Sequence, residues 1–113
     1  MDTWIQGHWK AHNEIRTQHR LPHLSLSKDL ETFALQHAQK MMKRNQLYHE
    51  VPKGCYQNIL QGKKNVVNRP EVSVQLWMSD DHKIPILDKN VRQMGCAYVM
   101  NSNFDVFICT HYQ

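Results

Sequence analysis

Histidine is abundant for a chain of this length: eight occur in 113 residues, at positions 8, 12, 19, 23, 37, 49, 82 and 111. None of them forms the His-Glu-x-x-His helix of a zinc protease. The three cysteines, Cys55, Cys96 and Cys109, contain no Cys-x-x-Cys pair, so neither a zinc knuckle nor a thioredoxin-type redox site is signalled. A hydrolase needs a nucleophile or activated water beside a base. Ser79 lies close to His82, and Cys55 close to Gln57, but neither sits in a nucleophile elbow or beside a recognisable orienting acid. Gln57 itself, in Tyr56-Gln57-Asn58-Ile59-Leu60, does not titrate in the range a general base requires. The residue types favour binding over covalent chemistry, and Cys55 reads as a partly buried thiol or an intermolecular partner.

The elements that must position these residues are legible in part. Trp4, His8, Trp9, Ala11, His12 and Ile15 recur at spacings of three and four, which predicts a helix from Thr3 to about His19. Arg20-Leu21-Pro22 ends it, because the residue before proline is pushed out of the helical region. Ser27 is a natural N-cap for a second helix over 28–44. Asp29 and Glu31 fall in its first turn and Lys40, Lys43 and Arg44 toward its end, as the helix dipole prefers. Leu30, Phe33, Ala34, His37, Ala38, Met41 and Met42 form one stripe, read as core, with His37 a core or half-buried histidine. Gln46 to Gly62 reads as loop, with a short turn at Gln57 to Leu60 and a polar turn at Gly62-Lys63-Lys64-Asn65. Asn68-Arg69-Pro70-Glu71 opens a third helix over about 70–79, with proline at its first position.

The last twenty residues change character. Residues 94–100 and 104–112 read as two strands joined by Asn101-Ser102-Asn103. A two-residue loop at Ser102-Asn103 would set Cys96 opposite Cys109, within disulfide reach; a three-residue loop would not. Helices first and strands last predict an α+β fold.

Composition narrows the function classes. A chain of 113 residues fits one domain, 1–113. The net charge of +4 comes from scattered bases without aromatic interleaving, which argues against nucleic acid as a partner. No apolar run is long enough to span a membrane. The N-terminus carries no basic stretch followed by an apolar one, leaving open a cytoplasmic protein or a processed secreted domain. Three cysteines, an odd count, suggest one pair and one leftover in an oxidising compartment.

Several short motifs, in order, resemble the CAP superfamily of cysteine-rich secretory, antigen 5 and pathogenesis-related 1 proteins, whose common unit is the SCP domain. They are His12-Asn13-Glu14-Ile15-Arg16; Leu21-Pro22-His23-Leu24 running into Ser27 and Leu30; Ala34 and Ala38; His49; and Gln57-Asn58-Ile59. Trp77-Met78-Ser79-Asp80-Asp81-His82 through Leu87, Met94-Gly95-Cys96-Ala97 and Ile108-Cys109-Thr110-His111-Tyr112 complete the series. The resemblance spans nearly the whole chain.

The resemblance implies a three-layer α-β-α sandwich with a small antiparallel sheet, and an extracellular or secreted protein. It supports a Cys96–Cys109 disulfide. It also implies a cleft built from His49, Gln57, Asp80 and His82. The family's Glu is Gln57 here, and Asp80 stands in for the second acid. Two imidazoles with an amide instead of a carboxylate imply a divalent metal such as zinc held weakly, with Gln57 able to orient a histidine. The expected function is a secreted, non-catalytic binding domain, with weak metal binding and an apolar ligand such as a sterol or fatty acid. The alternatives are an effector or toxin-like protein acting through a protein partner and, further off, a metal-dependent hydrolase.

Overall fold

In the computed structural model, which describes residues 2–67 and 69–113, the chain order is α1 (Thr3–Gln18), β1 (Ser25–Leu26), α2 (Lys28–Arg44), β2 (Tyr56–Lys63), α3 (Pro70–Met78), α4 (Lys83–Leu87), β3 (Gln93–Met100) and β4 (Asp105–Tyr112). The strands form one sheet in the order β1-β3-β4-β2. β2 and β3 both pair antiparallel with β4, whereas β1 pairs parallel with β3. The sheet is therefore mixed, not purely antiparallel as the resemblance implied, although the parallel part is only two residues long.

Two apolar clusters occupy the two faces of the sheet. On one face Met94, Cys96, Val106, Ile108 and Tyr112 pack with Val74 and Trp77 of α3, Ile86 of α4 and the apolar side of α1. On the other, Ala97, Phe107 and Cys109 pack with Ala34, Ala38 and Met41 of α2. Strand residues alternate between faces, so one sheet serves both layers and the α-β-α sandwich follows.

Local signals explain most of the helices. Asp2 caps α1 by accepting from the Trp4 and Ile5 amides, and Ser27 caps α2 by accepting from Leu30 N. α2 stops at Asn45, which adopts a left-handed conformation at φ 50°, where Asn is tolerated. Pro70 opens α3; Asn68, at the expected start of that helix, lies outside the described residues.

Two expectations are overturned. Gln46 to Gly62 is not all loop, because Tyr56–Lys63 is a full strand paired along its length with β4. Its polar residues lack alternation, and pairing with an already buried neighbour supplies what local propensity does not. The hairpin between β3 and β4 also has the longer loop. Asn101 pairs with Asp105 through its backbone, and Phe104 takes φ 63°, giving a three-residue loop with a left-handed last residue. The register shifts by one: Cys96 faces Thr110, and Ala97 faces Cys109. A shift of one sends a side chain to the other face. Cys96 and Cys109 lie in different clusters, and all three cysteines are free, so the expected Cys96–Cys109 bridge is not formed.

Candidate functional site

The Asn13 and Arg16 side chains of α1 fasten the segments around the site. Asn13 both donates to and accepts from the backbone of Leu24. Arg16, fully buried, donates to four carbonyls: Pro22, Ile86, Asp88 and Val91. A buried guanidinium satisfied by carbonyls acts as a fixed clip. It ties α1 to α4, and α4 begins immediately after His82.

His49, Gln57, Asn58 and His82 line one depression of about 260 Å³ across the β2 edge of the sheet. His49 comes from the segment after α2, Gln57 and Asn58 from β2, and His82 from the turn before α4. Asp80 does not line the depression; it holds His82 from behind. The structure thus gathers the four residues implied by the resemblance into three lining groups and one support.

The orientation of the Gln57 amide is settled by the backbone of Glu50. Gln57 Nε2 donates to the Glu50 carbonyl at 3.1 Å, and Oε1 accepts from the Glu50 amide at 3.4 Å. Only one orientation satisfies both. With the oxygen so placed, His49 Nδ1 donates to Gln57 Oε1 at 2.9 Å, and Gln57 Nε2 donates to His111 Nε2 at 2.8 Å. His82 Nδ1 donates to Asp80 Oδ1 at 2.5 Å, and His82 N donates to the same oxygen. These two bonds to His82 hold the Asp80 carboxyl below its usual range. His49 and His82 therefore both use Nδ1 on an oxygen acceptor, which fixes the tautomer and leaves Nε2 as the ring's lone-pair nitrogen.

Further polar residues brace the site, and sequence reasoning passed over them. His111 is buried at 1 % exposure, its Nδ1 has no partner, and burial lowers its pKa to about 4. Asn58 donates to the His82 carbonyl at 2.9 Å and to Tyr112 Oη at 3.3 Å. The Tyr112 hydroxyl donates in turn to His12 Nε2 at 2.7 Å, because His12 Nδ1 donates to the His8 carbonyl. The signal available in the sequence was the His111-Tyr112 pair at the end of a strand, where alternation sends one ring to each face.

The donor set does not make a complete tetrahedral zinc site, which takes four ligands. The depression's lining offers two imidazole nitrogens and the Asp81 carboxylate. The Gln57 oxygen already accepts from His49 and Glu50 N, and the facing Asp80 oxygen holds His82. Among the described residues, no group of three or more His, Cys, Asp or Glu side chains is arranged to hold a metal ion. These groups do not supply the four ligands of a resident structural metal.

No curated protein sequence matches this chain significantly. Among solved structures, an outer surface protein from Borrelia burgdorferi superposes with a TM-score of 0.84 at 15 % identity, covering 99 % of this chain and 94 % of that one. An extracellular protein containing an SCP domain from Bacillus anthracis gives 0.79 at 17 % identity, covering 97 % of this chain but only 40 % of that one. NaASP2, solved with Zn2+, gives 0.80 at 15 % identity, covering 99 % and 80 %. At such identities these likenesses establish the fold alone. The sequence itself matches the cysteine-rich secretory protein family over residues 9–112. The chain therefore belongs to that family, the CAP family.

Proposed function

We propose that this chain is a secreted, non-catalytic binding domain whose cleft takes a borderline divalent cation, zinc being the type, weakly and reversibly through His49 and His82. The observation that carries this reading is the pairing of both Nδ1 atoms with oxygen acceptors, Gln57 Oε1 and Asp80 Oδ1. An imidazole held in this way presents Nε2 as a preformed ligand. Weakness follows from the amide at position 57, which neither neutralises a dication nor has a free oxygen for it. A neighbouring fold solved with Zn2+ is in keeping with the metal. The family's name and the extracellular and outer surface neighbours support secretion.

Catalysis is disfavoured by what the nearby nucleophiles do. Ser79 Oγ donates to the Leu76 carbonyl, and burial pushes the Cys55 thiol up, away from the reactive thiolate. Gln57, at the family's acid position, holds no proton to exchange.

Calorimetric titration of zinc into the parent, Gln57→Glu, His49→Ala and His82→Ala tests the reading. The parent should bind weakly, Gln57→Glu more tightly, and neither histidine variant measurably. Binding in the parent should fall as pH drops, since protons compete for Nε2. If the histidine variants bind as the parent does, the cleft is not a metal site.

A further inference from the structure

The sheet has one edge that neither helix layer closes. β1 covers β3 only at Gln93 and Met94. Its last ladder bond runs from Ser27 N to the Met94 carbonyl, and Ser27 is already the cap of α2, so the chain turns away there. β3 continues for six more residues.

The hydrogen-bond phase of β3 is fixed at both ends. Gln93 and Gln113 exchange both backbone bonds, and Asn101 N donates to the Asp105 carbonyl. Antiparallel pairs alternate, so odd-numbered residues of β3 bond to β4 and even-numbered ones point the other way. The amides and carbonyls of Tyr98 and Met100 therefore face the open edge, and no backbone bond to another segment uses them among the described residues; Cys96, in the same phase, is fully buried. That leaves two donors and two acceptors in a row.

This edge also lacks the usual safeguards. Natural edge strands are blunted by lysine, proline, bulges or short length. Cys96-Ala97-Tyr98-Val99-Met100 has no charge and no proline, and its pairing with β4 is continuous. A groove of about 970 Å³ runs along it, with the start of α1 on one wall and α2 on the other. Leu35, Tyr98 and Met100 are each about 40 % exposed there. In a chain of net charge +4, the groove sets Asp2 on the α1 wall and Glu31 on the α2 wall. Among the described residues lining the groove the one cation is Lys28, 4.0 Å from Glu31 with its side chain 93 % exposed, a contact that neutralises little.

We propose that the β3 edge accepts an extended basic peptide segment of a partner protein, which adds as a fifth strand beside Tyr98–Met100. Main-chain bonds to residues 98 and 100 supply the affinity, and alternate side chains of the segment lie toward Leu35 on one side and Tyr98 on the other. Lysine or arginine in the segment meets Glu31 and Asp2. The site is separate from the histidine cleft, which lies across the opposite edge of the sheet.

The probe is a synthetic Val/Thr-alternating heptapeptide with a lysine at each end, titrated into the isotope-labelled full chain and followed by amide shifts and hydrogen exchange. Since main-chain bonding dominates such sites, a generic strand suffices. Expected are saturable shifts along β3 and α2, with exchange of the Tyr98 and Met100 amides slowed at least tenfold. The same peptide N-methylated at alternate residues should bind at least tenfold more weakly. Glu31→Lys, a surface change, should weaken the lysine-flanked peptide and leave a neutral analogue unchanged. No shift at millimolar peptide overturns the proposal, as does equal binding of the methylated peptide. So does protection that appears without peptide and grows with protein concentration, which would make a second copy the occupant. Palmitate shifting the groove residues while the peptide does not would make it a lipid cleft and also overturn the proposal.

Discussion

Gln57 donates from Nε2 to His111 Nε2 over 2.8 Å, so the proton of the neutral His111 ring sits on Nδ1, which is buried without a partner. An amide at position 57 can feed His49, Glu50 and His111 at once because it carries both a donor and an acceptor. A carboxylate only accepts, so it cannot serve the Glu50 carbonyl.

Replacing Gln57 by Glu should therefore change His111 as well as the cleft. The carboxylate no longer donates to the Glu50 carbonyl or to His111. The His111 proton then moves to Nε2 at little cost, since Nδ1 has no bond to lose. The Glu50 carbonyl loses its donor, worth about 1 kcal/mol. Nitrogen-15 shifts of His111 should report Nδ1–H in the parent and Nε2–H in Gln57→Glu, with a small loss of stability to urea. Nε2–H already in the parent would mean that the amide is turned the other way.

The cysteines give a second expectation. Cys96 and Cys109 are fully buried on opposite faces of the sheet, and burial raises both thiol pKa values. Cys55 is half-buried. A maleimide should label Cys55 alone, and slowly, in the native protein, and all three thiols in denaturant. Peptide mapping that found Cys96 joined to Cys109 in native oxidised protein would contradict the hairpin register.

That register shows where sequence reasoning stops. Helix boundaries were legible because caps and apolar spacing are local: Ser27, Pro70 and the Ala34–Ala38–Met41 stripe each carry their own signal. The hairpin was not, because one loop residue, Phe104 in a left-handed conformation, decides which face every β3 residue takes relative to β4. β2 was not, because Gln57 and Asn58 are polar yet buried, and part of what compensates them lies 54 residues away, in His111 and Tyr112. The cleft residues could be named by resemblance, whereas the partners that orient them could only be found in three dimensions.

Gly95 makes a sharp packing prediction. A Cβ placed there would overlap the backbone nitrogen of Glu31 and the carbonyl carbon of Leu30, so the first turn of α2 rests directly on β3. Backbone cannot rotate away as a side chain can. Gly95→Ala should force α2 off the sheet and cost more than the 1–3 kcal/mol typical of overpacking. Urea unfolding of Gly95→Ala, or its failure to accumulate as folded protein, is the measurement; a stability equal to the parent would refute the close approach.

The buried histidines of α1 should make the fold sensitive to acid. Burial is the main cause that holds the His12 pKa at about 4, and burial followed by the charge of His12 drives His8 well below its ordinary value. In the unfolded chain both titrate near 6.5. Between about pH 4 and 6.5 the unfolded state thus binds more protons than the native one, so stability rises with pH through that window. It is complete above about 6.5 and declines as pH falls toward 4, with a slope of up to about 1.4 kcal/mol per pH unit for each histidine. Tyr112→Phe sharpens the test. It removes the hydroxyl that donates to His12 Nε2 and accepts from Asn58, leaving a buried lone pair unsatisfied at a cost of about 1–3 kcal/mol. Losing a bond made to the neutral ring also raises the His12 pKa, so the variant should show a shallower pH dependence on top of its lower stability. Urea midpoints of parent and Tyr112→Phe at pH 4.5, 5.5, 6.5 and 7.5 decide it: a flat profile in the parent would mean that His8 and His12 are not buried as neutral rings.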